Sequence, residues 1–443
     1  MGKWIVPYGK DTIMNIFLIL LGRTFSNIIQ FLNLGNGSTW PGHIALKLNK
    51  NFISDLMRNS KIKIIFVVGT NGKTTTTSLI KHLLVKQGKS VIQNNSGANL
   101  LNGIASTLLL NASVTGKINA DYALFEIDEN AFPKSLHEIQ PDVIVMLNLF
   151  RDQLDRYGEV ASIAHKWHTS VNTLSSKTTL ILNADDPQIA YLGENVKCEV
   201  SYFGYKADKS IASLEHAVDS TYCPRCGTKL TYKTIAYSHL GDWHCENCKL
   251  DKPQDVYTHS PVYPLSGIYN AYNTHAALLS LKLLGFKEDQ LTTSLASFQP
   301  AFGRQEELNI QGKRIKIILA KNPTGFNESL RTITELKGQR VLLVLNDRVA
   351  DGKDVSWIWD IDFEKYEHLF YSLIISGERS FDLGLRIKYT QKEPIPHFIV
   401  EPDLKKALDY ALKDLKKDET LFILPTYTAM LQVREILTGK KIL

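Results

Sequence analysis

Cysteine is scarce in this chain, five among 443 residues, and four of the five stand in two close pairs. That excludes a disulfide framework and suggests a metal site in a reducing compartment. An uninterrupted apolar run of about twenty residues, the length a membrane-spanning helix needs, is also missing. The nearest candidate, residues 12–32, is broken by Asn15, Arg23, Ser26, Asn27 and Gln30, and no small-residue cleavage site of a signal peptide follows it. It reads as an amphipathic helix, packed on the next domain or resting on a membrane surface. The expected address is cytoplasmic, with the inner face of the membrane as the alternative. Nor is one sign of charge in large excess: 51 basic residues against 45 acidic give +6, spread along the chain. No nucleic-acid partner is therefore expected. Internal repeats and low-complexity tracts are absent. What is left is an ordinary globular composition, 44% hydrophobic and 22% charged, with length for two or three domains.

Short runs rich in Ile and Val at 61–68, 120–127, 142–149 and 178–183 alternate with helical patterns such as 73–87. Such alternation predicts an α/β domain, a mostly parallel sheet with helices on both faces. From about 207 to 260 the periodicity is lost while Cys, Gly, Lys and Tyr accumulate, which marks an insertion. A helix is expected again at 270–284. After Arg304, runs at 314–320, 340–346, 369–376, 397–400 and 420–425, each leading into a helical stretch, predict a second, smaller Rossmann-like α/β domain. The expected division is a helical lead-in at 1–60, a central domain at 61–303 carrying the insertion at 205–260, and a C-terminal domain at 304–443. Residues 346–364 follow a strand, so they should sit at the carboxyl edge of their sheet, where open α/β sheets place their sites.

Gly69-Thr70-Asn71-Gly72-Lys73-Thr74-Thr75 lies between a predicted strand and a predicted helix. Small residues let backbone N–H groups turn inward, and the following helix presents its positive end, so the parts of an anion cradle are present. Lys73 would reach the β- and γ-phosphates of a nucleotide, and Thr74 would hold Mg²⁺. The general Walker pattern is incomplete, because Val67 stands where its first glycine belongs. Downstream, Cys223-x₂-Cys226 and Cys245-x₂-Cys248 are separated by eighteen residues, the spacing of a four-thiolate zinc ribbon. Four thiolates leave no open position for chemistry, so a structural Zn²⁺ is expected over redox or nucleic-acid roles. Cys198 reads as a core residue.

The shorter form G-T-N-G-K-T resembles the phosphate loop of the Mur ligase superfamily and of folylpolyglutamate synthases, and other stretches match that superfamily. Glu126, in Phe125-Glu126-Ile127-Asp128-Glu129, matches its acidic Mg²⁺ ligand; two further carboxylates at the end of a buried run make little sense for packing alone. Residues 148–158 resemble the family's N-x-x-x-D-H-x-D-R-Y-G stretch, with Gln153 replacing a histidine that binds a second metal. The modified lysine used near it has no clear counterpart, though Lys166 and His168 lie close in sequence. Asn270 and Asn273 match the two asparagines that face adenine, the alternative being a helix cap and a surface residue. Arg304, in Gly303-Arg304-Gln305-Glu306, matches an interdomain arginine that contacts ATP phosphates. Lys321-Asn322-Pro323 departs from the acidic residue and histidine that relatives carry before Asn-Pro, which suggests a changed substrate.

Together with the four-cysteine insertion, the stretch Asp351-Gly352-Lys353-Asp354-Val355-Ser356-Trp357-Ile358-Trp359-Asp360 resembles one branch of the superfamily, the MurT family. The resemblance runs from about Gly35 to the end of the chain. Only about sixty residues precede the phosphate loop, too few for a separate nucleotide-sugar-binding domain, so a UDP-linked substrate is not expected. No cysteine stands in a nucleophile-elbow context, so ammonia must come from elsewhere. The resemblance implies ATP, Mg²⁺ and Zn²⁺ as cofactors, Lys73 and Glu126 as catalytic residues, and an acyl phosphate on the α-carboxylate of D-glutamate in lipid II. Ammonia from a class I glutaminase partner would then displace phosphate and leave D-isoglutamine. Asp354 matches an aspartate that orients the partner's catalytic histidine; a helix cap or solvated carboxylate is the alternative, because Asp347, Asp351, Asp360 and Asp362 lie nearby. Trp357 and Trp359 fit interface anchors or core aromatics equally. Two rival readings are a ligase of this type that adds an amino acid, and a nucleotide-regulated protein whose ribbon contacts nucleic acid.

Overall fold

The computed structural model describes residues 10–31, 39–58, 60–95, 97–152, 160–206, 218–300, 303–413 and 415–439. Gln153 and the stretch 207–217 of the insertion lie outside the described residues.

Strands β1 (Lys63–Val68), β2 (Val91–Gln93), β3 (Tyr122–Ile127), β4 (Val143–Met146), β5 (Thr179–Asn183) and β6 (Glu199–Phe203) belong to one parallel sheet. Its order is β2-β3-β1-β4-β5-β6, and the short β9 (Val256–Tyr257) extends the β6 edge, while β7 (Thr231–Tyr237) and β8 (Leu240–His244) pair only with each other within the insertion. The strands read as nearly continuous apolar runs because both faces are covered. Ile64, Phe66 and Val68 of β1 enter a core with the N-terminal helices, while Ile65 and Val67 face the helices Lys73–Lys86 and Ile268–Leu283. The chain winds outward on both sides of β1, so the loop after β1 opens at the reversal point of the sheet, where ligands bind in this architecture.

Among the described residues three helices precede β1: Lys10–Phe31, Trp40–Leu48 and Phe52–Arg58. The first buries Leu18 and Ile19 among Ala45, Phe52 and Leu109 but leaves Ile13, Phe17, Leu20 and Ile28 on its outer face. It is thus packed on the next domain along one side and apolar along the other. No helix among the described residues is long and apolar enough to cross a membrane.

The second sheet takes the order β10-β11-β15-β12-β13-β14, from β10 (Arg304–Ile310), β11 (Lys313–Ile318), β12 (Arg340–Val344), β13 (Ser372–Ser376), β14 (His397–Val400) and β15 (Thr420–Pro425). All pairings are parallel except β10 with β11. β10 escapes a search for apolar runs because it is a polar edge strand, Arg-Gln-Glu-Glu-Leu-Asn-Ile, with only one buried side chain. The expectation that every strand of this domain leads into a helix fails after β12, where short 3₁₀ turns occupy 356–360, 363–365 and 367–369. The buried Val355, Ile358, Ile361 and Phe363 are spaced by three, three and two, which fits no single α-helical face.

The helix Ile268–Leu283, which carries Asn270 and Asn273, is fixed partly by a buried histidine. His275 Nδ1 lies 2.8 Å from the Gly204 carbonyl and Nε2 2.9 Å from the Tyr263 hydroxyl. The carbonyl can only accept, so Nδ1 carries the proton and Nε2 accepts from Tyr263. Burial pushes the His275 pKa down to about 4, against a smaller upward pull from the Gly204 bond. Because the folded value is depressed, this group's contribution is complete above the unfolded value of about 6.5 and is lost as pH falls toward 4, on the order of 3 kcal/mol in all. Thermal melts at pH 7.5 and 5 should show a loss of stability at the lower pH, and His275→Gln should reduce that loss; an unchanged pH dependence in the variant refutes the assignment.

Candidate active site

The phosphate loop is held from the side by the segment after β4. Thr70 N–H donates to the Asn148 carbonyl at 2.9 Å, and Asn71 N–H to Asn148 Oδ1 at 2.8 Å. The Thr70 hydroxyl accepts from Phe150 N–H at 3.0 Å and donates to the Phe150 carbonyl at 3.1 Å. Asn148 Nδ2 closes the set on the Asn71 carbonyl at 3.1 Å. Gly72 has a φ of 89°, and a Cβ there would stand 2.1 Å from Asn273 Oδ1. Both the backbone conformation and the space therefore require glycine.

Lys73 and Thr74 begin the following helix and point to different carboxylates. The buried Lys73 ammonium lies 3.1 Å from Glu129 Oε2, 2.5 Å from the Gly69 carbonyl and 3.2 Å from the Thr70 carbonyl. Thr74 Oγ1 donates to Glu126 Oε2 at 2.9 Å. Asn94 grips the Glu126 backbone on both sides, accepting from its N–H at 3.0 Å and donating to its carbonyl at 2.8 Å. A hydroxyl and a carboxylate so placed at a helix N-terminus are hard oxygen ligands suited to Mg²⁺.

The cleft beside the loop opens between the two sheets. Asn71, Gly72, Thr75, Asn270 and Asn273 line one side, Arg304, Lys321 and Thr324 the other, and Tyr237 and Tyr269 complete the wall. Asn273 Nδ2 donates to Asn270 Oδ1 at 3.2 Å, and Asn270 Nδ2 to the Ser266 carbonyl at 2.7 Å, so neither asparagine is a surface residue. Arg304 is aimed inward by a bulge at Gln305, whose φ is 60°. Burial lowers the Arg304 pKa, opposed chiefly by the negative charge of Glu126 across the cleft.

The departure at 321–323 falls at the closure between the domains. Lys321 Nζ pairs with Asp152 at 2.5 Å, and Asn322 Nδ2 donates to Asn71 Oδ1 at 3.0 Å while its own Oδ1 caps the helix Pro323–Glu335 through Gly325 N–H. Burial works against the Lys321 charge, but Asp152 and Glu129 outweigh it and raise its pKa. Arg151 adds a 3.2 Å ion pair to Asp360. Glu129, Asn148, Asp152 and Gln305 were given no role from the sequence. In the sequence Glu129 is visible only as an extra carboxylate, Asn148 and Asp152 only as matched positions of the 148–158 stretch, and Gln305 only as the variable position of the Gly303–Glu306 turn.

Asp354 is not brought to this cleft. It is exposed on the loop after β12 and accepts from Ser356 N–H, two residues on, at 2.8 Å; these Ser356 bonds hold its carboxyl below the usual range. Lys166 is likewise exposed, on the helix Val160–Val171. The four sulfurs of Cys223, Cys226, Cys245 and Cys248 converge within 4.8 Å of one another, a donor set that fits one tetrahedral ion. Cys198 is buried in the first core.

A phosphate loop at the reversal point of a parallel sheet, closed by a second α/β domain, is the arrangement of Mur ligases. The Mur ligase middle domain matches residues 67–281, and the MurT ligase C-terminal family matches residues 319–430. The lipid II isoglutaminyl synthase (glutamine-hydrolyzing) subunit MurT of Staphylococcus aureus (strain COL) is 35% identical over 90% of this chain and 92% of that protein. The subunit of the same name from Streptococcus pneumoniae is 33% identical over 96% of this chain and 97% of its own length. In fold, the chain is similar to a pseudomurein peptide ligase type C from Methanothermus fervidus, with a TM-score of 0.63 and 22% identity over 87% of this chain and 80% of that one. This chain belongs to the MurT family, and it is a ligase.

Gly72→Ala should weaken nucleotide binding at least about tenfold, since the added methyl must move either the loop or Asn273. Calorimetric titration with Mg²⁺ and ADP measures this, and unchanged affinity in the variant contradicts the geometry.

Proposed function

We propose that the cleft binds ATP with Mg²⁺ and that this chain amidates the α-carboxylate of D-glutamate in lipid II to D-isoglutamine, using ammonia from a partner glutaminase. The observation that carries the nucleotide site is a cleft lined by Asn71, Gly72 and Thr75 of the phosphate loop, with Arg304 opposite, Asn270 and Asn273 in its wall and the Thr74–Glu126 pair at the start of the same helix. The names of the relatives supply the substrate, the product and the word subunit. Lys73 and Arg304 neutralise the charge that develops as a carboxylate oxygen attacks the γ-phosphorus and ADP leaves. Thr74 and Glu126 would hold Mg²⁺, which would supply neutralising charge for the phosphoryl group being transferred. Ammonia then forms the C–N bond and inorganic phosphate departs, so one ATP is consumed per amide. The four thiolates hold a structural Zn²⁺. We place the domain boundaries at about 60 and 303, with the ribbon within 205–260.

Asp354 is assigned to the partner's site. A carboxylate already ionised and exposed on a loop at the sheet's carboxyl edge can accept a hydrogen bond from a histidine of a docked subunit. The exposed apolar side of Lys10–Phe31 is assigned to the membrane surface where a lipid-linked substrate lies.

Two variants separate these roles in the assembled complex. Lys73→Ala, made together with Glu129→Gln so that no unpaired buried carboxylate remains, should cut amidation about a thousandfold with either ammonium or glutamine as donor. Asp354→Asn should preserve ammonium-driven amidation and reduce glutamine-driven amidation about a thousandfold. Mass analysis of the lipid-linked stem peptide reads both; full glutamine use by the Asp354 variant removes that assignment. Co-sedimentation with vesicles containing anionic lipid should fall when Phe17 and Ile28 are both changed to Ser, and unaltered sedimentation argues against the membrane role.

A further inference from the structure

The cysteine insertion carries an antiparallel hairpin, β7 (Thr231–Tyr237) and β8 (Leu240–His244), whose turn is buried rather than displayed. Ser238 and His239, the two residues of the turn, are both fully buried, and Ser238 takes a left-handed φ of 49°. Connecting turns normally run over the surface, because buried backbone polar groups need partners. One end of the hairpin is tied to the cysteine cluster, since Cys245 directly follows β8; the other end is driven into the ATPase domain.

What the turn touches leads to the phosphate loop. His239 Nε2 stands 3.4 Å from Asp186 Oδ2, with both side chains fully buried, and its ring centroid is 4.8 Å from that of Phe150. Asp186 Oδ2 accepts the Leu149 N–H at 2.8 Å. Leu149 sits between Asn148 and Phe150, the two residues that clamp Asn71 and Thr70. On the same hairpin Tyr237 lines the nucleotide cleft, and Ala236 accepts from Arg331 of the C-terminal domain at 3.3 Å. The hairpin is itself anchored by Trp243 Nε1 on the Ala184 carbonyl at 3.0 Å and by Lys252 on the buried Asp185 at 2.5 Å.

We propose that the metal ribbon is a strut for the nucleotide site: with its four thiolates filled, the hairpin holds His239 against Asp186 and Phe150, and thereby fixes the 148–150 segment that shapes the phosphate loop. His239 is a positioning residue, acting through Asp186, and Tyr237 is the ribbon's contribution to the cleft wall. The inference rests on the proposed ATP site, and it extends that site into the insertion.

The full chain, purified with its partner subunit, tests it by titration with Mg²⁺ and a non-hydrolysable ATP analogue well below the melting temperature. His239→Ala should weaken binding about tenfold with bound zinc unchanged, and His239→Gln, which keeps a polar side chain of similar reach between Asp186 and Phe150, should recover most of it. Stripping the metal from the parent with a chelator should weaken binding similarly. Hydrogen exchange should then quicken at 69–71 and 148–150 as well as in the ribbon. If exchange quickens in the ribbon alone and nucleotide affinity stays at the parental value in the stripped protein, the strut is refuted. If the parent complex binds no analogue at all, the ATP site itself fails, a separate outcome.

Discussion

The structure of the site depends on one side-by-side attachment: the loop after β1 is bonded to the loop after β4. Two parallel strands in register deliver the two loops to the same edge, and there Asn148 and Phe150 satisfy the polar groups of Thr70 and Asn71. A phosphate loop must leave some of its N–H groups free for its ligand, so its shape has to be imposed from outside. Five hydrogen bonds do this here, each worth about 1 kcal/mol net. Because both loops are fixed to the same sheet, bending one means breaking contacts with the other. The glycines supply the permitted backbone shape, and the neighbouring strand supplies the constraint.

The second domain contributes specific contacts of its own. Arg304 reaches the cleft from the first residue of β10, while Lys321 and Asn322 close on Asp152 and Asn71. Lys321, which stands just before Asn322-Pro323 where the resemblance leads one to expect a histidine, therefore joins the two halves, and Asn322 beside it does the same. The Lys321 ammonium brings positive charge to a cleft that already carries Asp152 and Glu129, and these hold it protonated. Chemistry that differs from the superfamily at the acceptor end would be expected to differ here, while the phosphate loop stays the same.

Sequence reading recovered the fold class because buried parallel strands write themselves as Ile and Val runs, and because Gly69-Thr70-Asn71-Gly72-Lys73-Thr74 can be read as a loop between strand and helix. It did not recover β10, whose polar edge leaves no apolar signature, nor the hairpin in the insertion. In β7 the outer residues alternate between exposed and partly buried, but its last three, Ile235, Ala236 and Tyr237, are all buried, so no regular period survives. Nor could spacing show that Lys73 faces Glu129 while Thr74 faces Glu126, since that choice depends on the helix angle relative to β3. For Asp354 the sequence left open a helix cap, a solvated carboxylate or a partner contact; in this chain it is an exposed carboxylate bonded locally to Ser356 N–H, while Val355 stands at the cap position of the 3₁₀ turn.

The ion pair between Lys73 and Glu129 has a consequence for selectivity. An ammonium already neutralised at 3.1 Å and bonded to two carbonyls presents little net attraction to a passing anion. A chloride or a single carboxylate would have to give up its hydration and expel a partner of equal charge for no gain. Only a ligand that brings several negative charges and its own divalent cation, so that the freed carboxylate is not left facing bare phosphate, makes the exchange favourable. With the nucleotide site as proposed, the resting pair would act as a filter by valence, disfavouring the common anions of its surroundings.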